Sequence, residues 1–195
     1  DVNKEKIDKT LYVIGESHCL TSHHLLIQRL GVNYFCKAKL IKGCKQWHLG
    51  NSFRNQYKNQ FERIFRSIPK NSDVLLAIGE IDCRLDGGII EHKNKFPKKN
   101  LKEIILYTVQ NYLTYIINNN SKYSHNIVIQ GVPCPNINIK KYAKKDIIQL
   151  IEVIKTLNCE LEAKSKETGF SFLDVHKLTD KGDGLSNNFW HMDIT

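Results

Sequence analysis

Hydrophobic positions along the chain alternate between short continuous runs and helically spaced stripes. Residues 73–78 (DVLLAI) form an apolar run between turn-forming residues, which is typical of a strand buried on both faces. Residues 54–68 instead place apolar side chains at helical spacing and end before Pro69. These patterns predict strands at residues 11–14, 35–41, 73–78, 126–133 and 170–175, and helices at residues 22–30, 54–68, 101–118 and 143–166.

The regular alternation of strands and helices predicts parallel strands joined by helical crossovers. The expected fold is α/β, a three-layer α/β/α sandwich with a mostly parallel sheet of about five strands, as in flavodoxin-like folds. No linker or repeat divides the chain, so residues 1–195 are predicted to form a single domain. Because the sequence begins at Asp1, we expect it to be a fragment of a longer protein. The lysine-rich residues 85–100 are expected to form a mobile loop.

The charge balance narrows the range of partners. Lysine and arginine number 29 against 20 acidic residues, a net charge of +9, which favours anionic partners such as nucleic acid, phospholipid or an acidic glycan. The lysines concentrate near residues 93–102 and 140–145 without the aromatic-glycine signature of RNA-binding proteins, which favours a solvated surface over a nucleic-acid site. No membrane span and no signal peptide are predicted.

The six cysteines contain no CxxC pair, which argues against a zinc ribbon or a thioredoxin-like motif. They are most simply buried or free thiols in a reducing compartment, so a cytoplasmic location is favoured, although three disulfides fit the spacing as well. Cys19, Cys83 and Cys134 follow predicted strands and could approach one another. Burial for packing explains them better than metal binding, and no metal or cofactor is predicted.

Candidate chemistry lies after the strands, because ligands of parallel sheets bind beyond the carboxyl ends. Ser17 follows the first strand, where its hydroxyl group would lie beside the backbone N–H groups of a helix start. A nucleophilic serine needs a base and an orienting acid, for which His191 and Asp193 near the end of the chain are candidates. The alternative is that Ser17 only caps the following helix, and position alone favours capping.

Four segments carry a family resemblance: GESH (residues 15–18), WHLGN (residues 47–51), GEIDCR (residues 79–84) and HMDIT (residues 191–195). Together they resemble the blocks of the SGNH/GDSL hydrolase superfamily over nearly the whole chain. More narrowly, they are similar to SGNH-like domains attached to bacterial tetratricopeptide-repeat proteins. The resemblance implies a serine esterase or acyl-transfer enzyme without a cofactor.

Carried over by residue, the resemblance assigns Ser17 as the nucleophile, with His191 and Asp193 as base and acid. The oxyanion hole would comprise the N–H groups of Ser17 and Gly50, helped by Arg84. An ion pair of Arg84 with Glu80 or Asp82 that braces the loop is an equal alternative. The remaining predicted site-lining residues are Glu16, His18, Gly79, Glu80 and Asp82.

Two departures from the family pattern leave two functions open. Ile81 replaces the asparagine whose amide would bind the oxyanion, and the sequence ends at Thr195, where the pattern expects its histidine. The base is therefore either a residue that follows Thr195 or His191. The expected function is hydrolysis of a small-molecule or glycan ester, such as an O-acetylated glycan. The alternative is a weak or inactive module that binds a glycan or an anionic ligand.

Overall fold

The computed structural model describes residues 6–189, which form an α/β fold around one six-stranded sheet. The strand order is β2-β3-β1-β4-β5-β6, and every pairing is parallel except that of β2 with β3. The strands are β1 (Lys9–Gly15), β2 (Leu26–Arg29), β3 (Val32–Leu40), β4 (Asp73–Ala77), β5 (Asn126–Gln130) and β6 (Ser171–Leu173). The helices are α1 (Gln46–Gly50), α2 (Gln56–Ser67), α3 (Gly88–Lys95), α4 (Leu101–Asn120), α5 (Lys144–Glu167) and α6 (Val175–Thr179). The predicted α/β fold with a mostly parallel sheet flanked by helices is confirmed.

Strand side chains alternate between two hydrophobic clusters, as the two-residue period of a strand requires. Ile14 and Leu76 belong to the larger cluster, whereas their neighbours Val13 and Ala77 belong to a smaller one with Cys19. The larger cluster also receives the buried faces of the long helices, through Phe61 and Phe65 of α2, Tyr112 of α4 and Leu157 of α5. Burial of these apolar side chains fixes the sheet register and so aligns the carboxyl ends of its central strands.

Polar caps define where several helices begin. The side chains of Asn55, Asn100 and Asp174 accept hydrogen bonds from the first-turn N–H groups of α2, α4 and α6 at 2.8–3.0 Å. Such caps satisfy N–H groups that have no partner inside the helix. The predicted helices at residues 54–68, 101–118 and 143–166 correspond to α2, α4 and α5.

The helix predicted at residues 22–30 is wrong. This segment contains the end of a 3₁₀ helix (Ser17–Ser22) followed by the antiparallel edge strand β2. Leu30 and Gly31 have φ values of 50° and 77°, and they connect β2 to β3 as a two-residue hairpin turn. Gly31 thus belongs to a hairpin turn and does not stop a helix, and the leucines at helical spacing are exposed.

Three helices lie in regions that the sequence pattern left as loop or strand. Helix α1 occupies the loop after β3, α3 occupies half of the segment at residues 85–100, and α6 replaces the end of the strand predicted at residues 170–175. Ile89 and Ile90 of α3 are buried, so the prediction of an extended loop there is corrected. Short helices of this length carry too few apolar positions to display a period.

All six cysteines are free thiols, so the three-disulfide alternative is not realised in this structure. Five of them are buried, and Cys159 on α5 is exposed. Among the described residues, no helix combines the length and the apolar character that a membrane span requires.

Gly15 at the end of β1 is required by its contact with the neighbouring strand. A Cβ atom at this position would overlap the carbonyl oxygen of Ala77 and lie 3.1 Å from the Ala77 Cβ atom. The backbones of β1 and β4 therefore approach closely at the point where the chain enters the 3₁₀ helix.

We expect Gly15→Ala to lower the free energy of unfolding by about 1–3 kcal/mol, because the added methyl group must displace β4. Chemical denaturation of the purified variant measures this loss. Gly87→Ala is the matched control, because Gly87 has extended backbone and the nearest atom to an added Cβ is the Lys45 Nζ atom at 3.6 Å. Equal stability of the two variants would contradict the proposed close contact.

Candidate active site

Ser17 stands directly beyond β1, where the chain turns into the 3₁₀ helix. Glu16 occupies the N-cap position with extended backbone, and Ser17 is the first residue of the helix. Ser17 is exposed, whereas Glu16 before it and Cys19 after it are buried. The position combines an accessible hydroxyl group with the N–H groups of a first helical turn, which have no acceptor inside the helix.

The capping role considered for Ser17 is not observed. The N-cap residue is Glu16, and its side chain makes no capping bond. The first backbone bond of the turn runs from the Cys19 N–H to the Glu16 carbonyl group at 2.9 Å. Within residues 6–189, the Ser17 hydroxyl group has no hydrogen-bond partner. Local helix capping therefore does not explain the serine.

Glu16 connects the end of β1 to the loop after β4. Its Oε1 atom accepts hydrogen bonds from the N–H groups of Gly79 at 3.3 Å and Glu80 at 3.0 Å. The Oε2 atom is buried and has no hydrogen-bond partner among the described residues. Burial raises the pKa of Glu16 to about 7, nearby Glu80 adds to the rise, and the two N–H groups oppose it. Glu16 is thus a buried carboxyl group that titrates near neutrality.

Glu80 contacts two other candidate site residues, Arg84 and His18. The Arg84 guanidinium binds it with a fork, Nε to Oε1 at 3.1 Å and Nη2 to Oε2 at 2.9 Å. His18 Nδ1 lies 3.9 Å from Glu80 Oε2. The ion pair between Arg84 and Glu80 is one of the two roles predicted for Arg84. It orients the Arg84 side chain beside the loop after β4. The oxyanion role of Arg84 stays a prediction.

Gly79 is required by its backbone conformation and its surroundings. Its φ value is 149°, and an added Cβ atom would lie 2.7 Å from Gln46 Nε2 and 3.0 Å from Val132 Cγ2. Gln46 itself is fully buried, and its Nε2 atom donates to the Ile78 carbonyl oxygen at 2.8 Å. The amide of Gln46 therefore fixes the loop after β4, and sequence reasoning missed it because nothing in WHLGN marks the preceding glutamine.

Asp82 holds the beginning of α1. Its Oδ2 atom accepts from the Gln46 N–H at 2.7 Å, and its Oδ1 atom accepts from the Trp47 N–H at 3.2 Å. Burial raises the pKa of Asp82 to about 6 against the lowering effect of these bonds and of Lys45. A carboxylate at a helix N-terminus is stabilising, and here it comes from a distant loop. Its bonds are directed at α1, which gives Asp82 a supporting contact, and its predicted site-lining role stays a prediction.

Gly50 lies in the last turn of α1 and packs against α4, instead of standing in a loop. An added Cβ atom would lie 2.8 Å from the Tyr112 nitrogen and 2.9 Å from the Asn111 Cβ atom. Close approach of the two helices therefore explains this glycine. The loop that directly follows β3 contains a different glycine, Gly43, with a φ value of 72°. The donation of an N–H group by Gly50 stays a prediction.

A cavity of about 500 Å³ lies beside the turn that carries Ser17, although Ser17 itself is not part of its lining. Four predicted site-lining residues, Glu16, His18, Gly79 and Glu80, line it together with Arg84. Ser17 lies between two of these residues in the chain. The far end of the lining comes from the segment after β5 and from α6, which includes Cys134 and Thr179. The loops after β1, β4 and β5 therefore converge as the parallel sheet predicts.

A larger cavity of about 710 Å³ lies beside α1, α3 and α4 and includes Asp82 and Trp47 in its lining. His48 also lines it, and burial lowers the pKa of His48 to about 4, so its imidazole stays neutral at physiological pH. His48 Nδ1 accepts the Lys45 N–H at 3.1 Å. Ser17 lines neither cavity, but its chain neighbours Glu16 and His18 line the smaller cavity and not the larger one. The smaller cavity is therefore the better candidate for an active site.

The predicted base His191 and acid Asp193 lie outside the described residues. The described part of the chain ends at Phe189, after a segment that follows α6 and pairs Asp180 with Ser186 as an isolated bridge. This segment contacts the loop after β5 through a bond from the Ser186 N–H to the Pro135 carbonyl oxygen at 3.1 Å. The approach to residue 189 therefore runs along one wall of the smaller cavity, whose lining includes Pro135.

Several solved structures that share this fold are described as lipases or acylhydrolases. An extracellular lipase from Streptomyces rimosus superposes with a TM-score of 0.58 at 13% identity, covering 96% of this chain and 88% of the lipase. A putative acylhydrolase from Bacteroides fragilis has a TM-score of 0.55 at 15% identity, with 99% and 78% covered. A GDSL-like lipase from Bacteroides thetaiotaomicron has a TM-score of 0.55 at 15% identity, with 95% and 78% covered. No protein-family model and no curated sequence matches the chain.

The chain thus has the fold of GDSL/SGNH lipases and acylhydrolases. The fold that the sequence resemblance implied is confirmed. At these identities the likeness concerns the fold, and the roles of individual residues rest on the geometry described above.

The buried carboxyl group of Glu16 predicts a pH-dependent stability. Because its pKa is about 7 in the folded protein and 4.5 ordinarily, the unfolded chain releases the proton first as pH rises. The wild type therefore loses stability between pH 4.5 and 7, by about 3 kcal/mol, and the loss is complete above pH 7. Glu16→Gln keeps an oxygen acceptor for Gly79 and Glu80 but cannot ionise, so its stability relative to wild type should rise across the same window.

Chemical denaturation at pH 5, 6, 7 and 8 measures this difference. Comparison of variant and wild type cancels the titration of Asp82, which is present in both. Glu152→Gln, at an exposed position on α5, is the control and should follow the wild-type curve. Parallel curves for Glu16→Gln and wild type would show that Glu16 does not titrate in this range.

Proposed function

We propose that the chain is an SGNH-type serine esterase or acyl-transfer enzyme in which Ser17 is the nucleophile. The observation that carries this proposal is an exposed serine at the carboxyl end of β1, in the first turn of a helix, whose chain neighbours Glu16 and His18 line a cavity together with Glu80 and Arg84. The fold shared with lipases and acylhydrolases supports the same assignment. The competing explanation is that Ser17 caps the helix, but the N-cap residue is Glu16 and no side-chain capping bond is observed at this helix.

In the proposed reaction, Ser17 Oγ attacks the ester carbonyl carbon while a histidine accepts the hydroxyl proton. His191 is the candidate base and Asp193 the acid that orients it. Collapse of the tetrahedral intermediate breaks the C–O bond, and the leaving alcohol takes the proton from the histidine. Water, or a second alcohol in acyl transfer, then attacks the acyl-serine with the same base.

The proposed oxyanion hole combines the N–H groups of Ser17 and Gly50 with the Arg84 side chain. Arg84 directs Nε and Nη2 at Glu80, so an oxyanion would either use the remaining Nη1 group or compete with the Glu80 carboxylate. A cation can replace the amide that Ile81 lacks, because the charge that develops on the oxygen is negative. Glu80 would then hold Arg84 in place between turnovers.

The substrate class we propose is a short-chain ester on a polar carrier, such as an O-acetylated glycan. The polar side chains of the lining, Glu16, His18, Glu80 and Arg84, come from the loops after β1 and β4 and offer partners for a hydroxyl-rich alcohol, whereas most of the remaining lining is apolar and could receive the acyl group. The free thiols agree with the proposed cytoplasmic location. Attachment to a tetratricopeptide-repeat protein, proposed from GESHCL, WHLGN and GEIDCR, is compatible with this role.

A second candidate is a glycan- or anion-binding module that retains the fold without turnover. Ile81 favours it, because it cannot donate the hydrogen bond that the family's asparagine gives. The pairing of Arg84 with Glu80 also favours it, since a guanidinium committed to a carboxylate is less available to an oxyanion. In this case, Ser17 would contact a ligand without attacking it.

Ser17→Ala distinguishes the two candidates. For an esterase, the variant should lose hydrolysis of p-nitrophenyl acetate by about 10⁶-fold in kcat, effectively to background, because no other group supplies the nucleophile. The assay uses the longest available chain that contains this sequence and follows release of p-nitrophenol. Hydrolysis of the acetate should exceed that of a long-chain ester if the substrate is the proposed short-chain ester.

Ser52→Ala is the control, because Ser52 is exposed in the segment between α1 and α2 and should leave the rate unchanged. Wild-type hydrolysis that survives in Ser17→Ala would contradict the esterase. Absence of hydrolysis in the wild type, combined with glycan binding that Ser17→Ala retains, would support the binding module.

A further inference from the structure

A second group of reactive side chains lies where α6 packs beside the segment after β5, and one member of the group, Cys134, lines the smaller cavity. Cys134 follows β5, His176 lies on α6 and Asp180 follows that helix. One sulfur, one ring nitrogen and one carboxylate oxygen from these residues all lie within 4.8 Å of one another. None of the three residues takes part in the proposed hydrolytic mechanism, so that mechanism does not explain why they lie close together.

Hydrogen bonds between backbone N–H groups and side-chain oxygens hold this group in place. Thr179 Oγ1 accepts the Cys134 N–H at 2.9 Å, which ties α6 to the segment after β5. His176 and Asp180 are four residues apart, the spacing that places two side chains on one face of a helix. Asp180 Oδ1 accepts the N–H groups of Gly182 at 2.7 Å and Gly184 at 2.9 Å. These bonds orient the carboxylate and leave Oδ2 without a partner among the described residues.

His176 supplies a second, independent observation. Its Nε2 atom is buried and has no hydrogen-bond partner within residues 6–189. A buried imidazole nitrogen that has no partner in the protein is available to a ligand such as a metal ion. The Cys134 thiol, 3.5 Å from the His176 carbonyl oxygen, makes only a weak bond that a metal ion can replace.

The donor set selects the metal. Thiolate, imidazole and carboxylate together are typical ligands of Zn²⁺, and three protein ligands leave a fourth position open. Hard cations such as Mg²⁺ and Ca²⁺ prefer oxygen ligands alone. Zinc bonds of about 2.0–2.3 Å place tetrahedral ligand atoms about 3.5 Å apart, so the observed separations need to close by about 1 Å. Asp174 and Asp183 also act electrostatically on this group, against the single cation Lys155.

We propose that Cys134, His176 and Asp180 form a Zn²⁺ site next to the cavity that Cys134 lines, with its fourth position open to a water molecule or to a ligand. This departs from the sequence analysis, which predicted no metal. The three ligands match no zinc motif in the sequence, because Cys134 and His176 are 42 residues apart and Cys134 is not part of a CxxC pair. The site does not depend on Ser17, so it holds for either function considered above.

The test titrates the chelator-treated wild-type chain with Co²⁺ and then with Zn²⁺. Co²⁺ should bind at one equivalent with a thiolate-to-cobalt charge-transfer absorption band, Zn²⁺ should displace it, and excess Mg²⁺ should not. Cys134→Ser should abolish the band. His176→Gln and Asp180→Asn should weaken Zn²⁺ binding by about 100-fold or more, at least the loss that follows removal of a supporting ligand contact.

Cys159→Ser removes the exposed thiol on α5 and is the matched control, which should bind like the wild type. Asp180→Asn keeps an oxygen acceptor for Gly182 and Gly184, so its fold should persist, and circular dichroism checks this. Zn²⁺ should raise the thermal midpoint of the wild type and of Ser17→Ala but not that of Asp180→Asn. Absence of a charge-transfer band in the wild type, or a band that persists in Cys134→Ser, would overturn the proposal.

Discussion

The candidate active site depends on the buried carboxyl group of Glu16. It follows a glycine that lets β1 approach β4 closely, and it accepts the N–H groups of Gly79 and Glu80 in the loop after β4. The two central strands of the sheet are thereby joined at their carboxyl ends by backbone contact and by a side chain. Ser17 takes its position from this junction, because it directly follows Glu16.

A second buried carboxyl group extends the same arrangement to α1. Asp82 binds the N–H groups of Gln46 and Trp47, and the Gln46 amide returns to the Ile78 carbonyl group in the loop after β4. Each carboxylate holds backbone donors from a segment distant in sequence, so the loops after β1, β3 and β4 form one hydrogen-bonded unit. A rigid support of this kind is what an oxyanion hole requires, because its donors must be in place before charge develops. Burial is also the main cause of the raised pKa of both carboxyl groups.

Much of the fold could be predicted from the sequence because the buried strands and long helices have strong periodic patterns. The hairpin of β2 and β3 could not, since the leucines at residues 25–30 imitate a helical stripe and Gly31 fits both a helix stop and a hairpin turn. The order of the motifs along the chain predicted that Glu16, His18, Gly79, Glu80 and Arg84 lie near one another, and all five line one cavity. It could not assign Asp82 to α1 or identify Gln46, because those contacts join loops about 30 residues apart. The grouping of Cys134 with His176 likewise arises only when the last helix packs beside the segment after β5.

The most direct test of the account is covalent labelling with a fluorophosphonate probe, followed by peptide mass spectrometry on the longest chain that contains this sequence. The account predicts a single phosphonylated peptide that carries the label on Ser17, because Ser17 is exposed at the end of β1 and is the proposed nucleophile. A label on another serine, or an unlabelled chain that remains folded and accessible to the probe, would contradict the assignment of Ser17 as the nucleophile.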